Sequence, residues 1–163
     1  VRVIDQRQLP HRLTILDLTT VDQVIEAIVE MVVRGAPLIG VTGAYGVLIA
    51  LLTAEDEPDF LQACQRIEAA RPTAVNLAWA VTRVSAAVLR ADTSSSRLAA
   101  ARRETAAIEA EEVERCRRIG APQRASILAA GLALQQAGVV DVKVDGKAVL
   151  DGLIDDQVPL PTN

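Results

Sequence analysis

Residues 36–54, "APLIGVTGAYGVLIALLTA", contain no charged side chain. A run of that length leaves a chain two solutions: a segment that crosses a bilayer, or a helix buried on all sides within protein. Pro37 stands at its start, and Gly40, Thr42, Gly43 and Tyr45 lower its hydrophobicity, which favours the buried helix. Proline suits a first helical turn, where its missing N–H has no intrahelical partner to lose. Glycine recurs at 40, 43 and 46, and with Ala36 and Ala50 nearby these small residues permit close contact with another helix. Dinucleotide fingerprints follow a strand and space their glycines differently. The run therefore predicts the central helix of a bundle and no membrane span.

The flanking sequence supplies the other helices. Val21, Val24, Ile25, Ile28, Val29, Val32 and Val33 fall at helical spacing, Thr20 and Gln23 form a capping box, and the helix is expected to stop at Gly35. "EDEP" at 55–58 breaks the chain before a third helix over 59–70, ended by Pro72. Thr73 is the expected cap of a fourth helix, where Leu77, Val81, Val84 and Val88 form an apolar stripe up to Arg90. "DTSSS" at 92–96 reads as a loop. A fifth helix over 97–119 carries Glu111–Arg115 and Glu114–Arg118 at i, i+4, with Gly120 closing it. Residues 122–137 read as a sixth, Ala-rich helix, "VVDVKVDGKAVLDG" as a small hairpin about Asp145–Gly146, and "QVPLPTN" as a tail. Ahead of the helices, residues 2–5 and 12–18 predict two short strands around Pro10. The expected fold is mainly α: short N-terminal β-strands, then an antiparallel helical bundle, with a small C-terminal β-hairpin.

Composition narrows function. The 163 residues can bury a real core, and with 50% apolar and 23% charged residues most of the chain is ordered. A net charge of −4 and only Tyr45, Phe60 and Trp79 as aromatics supply neither the basic face nor the stacking platforms of nucleic-acid binding. His11 is the single histidine, so no histidine-based metal site is expected, and its place beside Pro10 reads as a solvated turn. Cys64 and Cys116 read as reduced thiols of a cytoplasmic protein. Cys64 suits a core position. Cys116, flanked by Arg115 and Arg117, would have a lowered pKa if they lie close, but a structural role fits it better. The acidic run "EAEEVE" at 109–114 reads as a solvated face. The chain starts at Val1 without a methionine, so the sequence is expected to begin inside its reading frame.

Two connections share one construction. Short links make successive helices antiparallel, so the 34–37 and 71–73 connections fall at the same end of the bundle. Each has an arginine, then a proline within three residues, then a helix start: Arg34 with Pro37, and Arg71 with Pro72. Helix starts offer unpaired N–H groups and partial positive charge, and arginine adds a bidentate donor. Together they would form an anion site suited to a phosphate or sugar phosphate, with Gly35 allowing close backbone approach. The alternative is that each arginine merely answers the macrodipole at the end of the preceding helix. Spacing leaves both open.

"IDQRQLP" (4–10), "MVVRGAPLIGVTGAYG" (31–46) and "ARPTAVNLAWA" (70–80), in this order and spacing, resemble the methylthioribose-1-phosphate isomerase family. Its superfamily includes ribose-1,5-bisphosphate isomerase and the regulatory subunits of a eukaryotic initiation-factor exchange complex. The resemblance covers about residues 1–120 and implies the family's N-terminal helical domain. It also implies aldose–ketose isomerisation of 5-methylthioribose 1-phosphate in methionine salvage, with no metal or organic cofactor. Arg34, Gly35 and Ala36 match the first substrate-contacting segment, and Arg71 a second substrate-binding arginine. The resemblance favours the anion site over the macrodipole.

The family's catalytic cysteine and aspartate belong to a Rossmann-like C-terminal domain, whose pattern is not recognisable in 121–163. Neither Cys64 nor Cys116 matches the catalytic position. No catalytic residue is therefore assigned. The resemblance implies a substrate-binding portion, inactive alone and weak in sugar-phosphate binding, that works with a separate catalytic domain or as a homodimer. A truncated, frameshifted or split gene product would give such a chain. The alternative is a non-catalytic helical interaction module, like the superfamily's regulatory subunits.

Overall fold

The computed structural model describes the backbone of residues 1–136 and the side chains of residues 1–115. The expected hairpin over 139–152 and the tail lie outside the described residues, as does the side chain of Cys116. The chain divides into two compact units, Val1–Val113 and Glu114–Asn163, and the packing below is that of the first.

The N-terminal strands form as expected, but shorter. β1 (Arg2–Ile4) pairs antiparallel with β2 (Ile15–Asp17), with Arg2 opposite Asp17, Val3 opposite Leu16 and Ile4 opposite Ile15. Val3 and Leu18 turn inward. The strand stops at Asp5 because its carboxylate caps a 3₁₀ turn over Gln6–Gln8, accepting from the Arg7 amide.

Five helices follow: α1 (Val21–Val29), α2 (Ala36–Thr53), α3 (Glu57–Ala69), α4 (Val75–Leu89) and α5 (Ser94–Gln136). The α1 capping box is complete, with Gln23 N donating to Thr20 Oγ1 and Thr20 N to Gln23 Oε1, each at 3.2 Å. α1 does not run on to Gly35. Glu30 is its C-cap and Met31 takes a left-handed conformation, φ 58°. Val32 and Val33 keep the burial that helical spacing predicted, at 4% and 0% exposure, but from a loop. The chain leaves the helix there because Val32 O and Arg34 bond to Gln6.

Three helix starts also differ from expectation. α3 begins at Glu57, with Asp56 accepting from Asp59 N and Pro58 in the first turn, so part of "EDEP" belongs to the helix. Ala74, not Thr73, precedes α4 and offers no side-chain cap. A turn from Arg71 O to Ala74 N carries Thr73 out of capping position. Thr93 caps α5 within the segment read as a loop, since Ser96 N donates to Thr93 Oγ1 and Thr93 N to Ser96 Oγ. At the other end α5 passes Gly120 and continues to Gln136, so the separate sixth helix is absent. A glycine weakens a helix interior by only about 1 kcal/mol and does not by itself end one.

α2 is the hub. It packs on α1, α3 and α4, and α5 reaches it through Thr105 Oγ1 on Ala44 O (3.4 Å) and the Tyr45 hydroxyl on Glu109. Although α2 is apolar and long enough to cross a membrane, its buried residues include Ile39, Thr42, Ala44, Val47, Ile49 and Ala50, all covered by these neighbours. Its glycines mark the close contacts. A Cβ at Gly40 would stand 3.1 Å from Asn76 O, one at Gly43 2.4 Å from Leu77 Cδ1, and one at Gly46 2.8 Å from Val24 Cγ1 and 3.1 Å from Ile67 Cδ1. Gly40 and Gly43 therefore face α4, whereas Gly46 faces α1 and α3. Going along α2 from Gly40 to Gly43, the partners advance along α4 from Asn76 to Leu77 and Val81, so these helices run parallel and begin at the same end.

Gly46→Ala tests this packing. Alanine is the better helix former by about 1 kcal/mol, but Val24 is β-branched, fully buried and unable to move aside. Overpacking typically costs 1–3 kcal/mol, so we expect a net loss of up to about 2 kcal/mol in urea unfolding. A variant as stable as the parent would refute close packing at this position.

Candidate functional site

The site expected from Arg34, Gly35, Ala36 and Arg71 lies where α2 and α4 begin. Gly40 is only four residues into α2 and Asn76 one residue into α4, so their contact brings the 34–37 and 71–74 connections to one end of the bundle. Arg34, Gly35 and Ala36 are exposed and Arg71 is half-buried. Neither helix start carries a side-chain cap. Gly35 is the N-cap of α2, at φ 92° and ψ 134°, in a region that side chains rarely adopt. A Cβ there would meet nothing within 4 Å, so glycine is required by the backbone and not by crowding.

The structure also brings in residues that were not singled out individually. Gln6 accepts the Arg34 amide on Oε1 at 2.8 Å, and its own carbonyl accepts Arg34 Nη2 at 2.6 Å. Gln6 N in turn donates to Val32 O at 2.9 Å. Beside it, the carboxylate of Asp5, 1% exposed, accepts from Arg7 N, Nε and Nη2 and from Gln8 Nε2, at 2.9–3.1 Å. Hydrogen bonding to Arg7 pulls the Asp5 pKa from 3.8 to about 2, against the opposing effect of its burial. These residues lie in "IDQRQLP", whose local pattern indicates only a strand end and a turn. A contact spanning 28 residues leaves no trace in local periodicity.

Elsewhere, side chains serve the scaffold. Cys64 is buried in the core, and burial, with Glu68 nearby, pushes its thiol up to about 12. Such a thiol is protonated and inert at neutral pH. His11 is exposed in the turn. The acidic run is not simply a solvated face: Glu112 is 2% exposed, Glu109 accepts the Tyr45 hydroxyl, and Glu111 takes Arg83 at 2.7 and 2.8 Å. Arg83 also bonds Glu104 and stacks over Trp79, 5.3 Å from the ring centre. Among the described residues no group of His, Cys, Asp and Glu is placed to hold a metal ion.

The strand pair, the glycine-spaced central helix and the paired helix starts define an α-helical domain found in known proteins. A 5-methylthioribose 1-phosphate isomerase from Pyrococcus horikoshii matches with TM-score 0.67 and 32% identity, over 74% of this chain and 37% of that one. The delta subunit of translation initiation factor eIF-2B from A. fulgidus matches with TM-score 0.65 and 31% identity, over 73% and 37%. The chain belongs to the initiation factor 2 subunit family, which it matches over residues 32–150. Within that family it is similar to methylthioribose-1-phosphate isomerases. It is 62% identical over 124 residues to that of Desulfosudis oleivorans, covering 74% of this chain and 34% of the relative. The Methylorubrum populi enzyme is 43% identical over 142 residues, covering 87% and 38%. The chain thus spans about a third of the length of the curated relatives it matches.

The Asp5 cluster predicts a pH dependence. A carboxyl pKa lowered in the folded state stabilises the fold fully above the unfolded value of 3.8, and that contribution disappears as pH falls toward about 2. Asp5→Asn should therefore be less stable than the parent at pH 7, with the gap closing between about pH 4 and pH 2 in thermal melts. A gap that stays constant with pH would show that the Asp5 charge contributes nothing.

Proposed function

We propose that this chain is the substrate-binding portion of a methylthioribose-1-phosphate isomerase. In this reading Arg34, Gly35, Ala36 and Arg71 hold the sugar phosphate of an aldose–ketose isomerisation in methionine salvage. The observation that carries the proposal is the side-by-side start of α2 and α4, each preceded by an arginine, in a chain 62% identical to such an isomerase. Exposed N–H groups at two helix starts and two guanidinium groups suit a phosphate dianion. Gly35 lets the backbone turn toward the ligand without a side chain in the way.

Isomerisation moves a proton between adjacent sugar carbons and needs an acid/base pair. Among the described residues, Cys64 and His11 are poorly placed for it, one buried and protonated, the other exposed beside Pro10. We assign no catalytic residue to this chain and no cofactor. The acid and base lie outside the described residues of this substrate-binding portion, which works in the cytoplasm with a catalytic domain or as a homodimer. We divide the chain into an isomerase-type helical domain over 1–120 and a further segment over 121–163. A second reading, a non-catalytic interaction module, is favoured by the comparable likeness to the initiation-factor delta subunit.

Two measurements test these readings, and the second separates them. Purified chain should give no ketose from methylthioribose 1-phosphate, and turnover near the ~1–1,000 per second of ordinary enzymes would overturn the inactive assignment. The same chain should bind inorganic phosphate with a dissociation constant in about the millimolar range, since charge-assisted contacts of roughly 1.5–3 kcal/mol each are partly offset by association entropy. NMR shifts should centre on residues 34–37 and 71–74 and vanish in Arg34→Met and Arg71→Met. Shifts elsewhere would favour the interaction module.

A further inference from the structure

Arg34 sits in a poor place for a precise donor. It is exposed, its loop follows a left-handed residue at Met31, and the next residue is a glycine. An arginine there would sample many rotamers, and holding it against an anion would forfeit much of its binding free energy. The structure nevertheless gives it one defined arrangement: among the described residues, Arg34 N and Nη2 both donate to Gln6.

We propose that Gln6 is a positioning residue, which sets the Arg34 backbone and guanidinium for anion binding; this rests on the sugar-phosphate site proposed above. Three hydrogen bonds do the work. Gln6 N fixes the Val32 carbonyl, Gln6 Oε1 fixes the Arg34 amide, and the Gln6 carbonyl fixes Arg34 Nη2. The last occupies one of five guanidinium donors, so the group is oriented without being used up. Holding the Arg34 amide also sets the direction in which Gly35 turns the chain into the first turn of α2.

Gln6 can act in this way because it is itself fixed. Asp5 N donates to Thr14 O at 2.8 Å, and the buried Asp5 carboxylate gathers Arg7 and Gln8 around the turn. Gln8 Oε1 accepts from Thr14 Oγ1 at 2.8 Å. An unbroken series of bonds thus runs from the β1–β2 pair through Asp5 and Gln6 to Arg34. It links the N-terminal strands to the start of α2, although the two are far apart in sequence.

The test uses the whole chain with inorganic phosphate as probe. Gln6→Met keeps the side-chain length and removes the Oε1 acceptor of the Arg34 amide, leaving the two backbone bonds, whereas Gln6→Glu keeps an oxygen in the same place. Exchange of the Arg34 amide should speed up about three- to tenfold in Gln6→Met, as expected for one lost neutral hydrogen bond, and return toward the parent rate in Gln6→Glu. Phosphate affinity should fall by a similar factor in Gln6→Met, with the melting temperature and the core amide shifts unchanged. An unaltered Arg34 exchange rate in Gln6→Met would overturn the proposal, as would affinity kept in Gln6→Met but lost in Arg34→Met. Affinity kept in Arg34→Met itself would overturn the underlying anion site, and the positioning role with it. A fall in affinity matched by a fall in melting temperature would assign Gln6 to stability and refute positioning.

Discussion

Backbone approach to α2 governs this domain. A charge-free helix can be surrounded only if its neighbours come close enough to exclude water, and three glycines remove the side chains that would keep them away. Leu77 of α4 and Val24 of α1, both fully buried, fill the space where Cβ atoms would stand. The two faces so created point to different partners, so one helix organises three others. Interior packing tolerates little change in volume, and the same contacts that bury α2 therefore also fix where α2 and α4 begin.

That end of the bundle is built from backbone irregularity. α1 stops early at Glu30, Met31 turns left-handed, and Gly35 adopts a conformation few side chains tolerate. Such a loop would be mobile if nothing tied it down. The tie comes from the far N-terminus, where the Asp5 carboxylate, almost wholly buried, is satisfied by Arg7 and Gln8 and holds the turn that carries Gln6. A buried charge is costly unless it is hydrogen-bonded, and here its hydrogen bonds shape the segment that meets Arg34.

Arrangement and chemistry are separate questions at such a site. Two helix starts and two arginines suit the binding of a phosphate, but binding alone does not move a proton between carbons. The chain spans about a third of the length of its isomerase relatives, and its likeness extends to an initiation-factor subunit as well as to an enzyme. One helical scaffold thus occurs in proteins of different purpose, and function is argued from the site placed on it.

The sequence determined the elements whose physics is local. The Thr20–Gln23 capping box, the α2 span opened by Pro37, the stripe of Leu77, Val81, Val84 and Val88, and the short antiparallel links can all be read from spacing within a few residues. The pairing of Arg34 with Arg71 at one end followed from those links, although the glycine contacts were needed to place α2 beside α4. Local rules failed where a distant partner decided the outcome. Val32 and Val33 have helical spacing, yet they are buried from a loop, because Gln6 competes for the backbone there. Thr73 has the chemistry of a cap, but the turn closed by Arg71 and Ala74 leaves it unused. Glu112, within an acidic run, is buried because α5 packs on α2 and α4, which its own neighbours in sequence do not reveal. Periodicity reports which face a residue takes within its own element; which hydrogen bond wins between elements is settled only once the chain has brought them together.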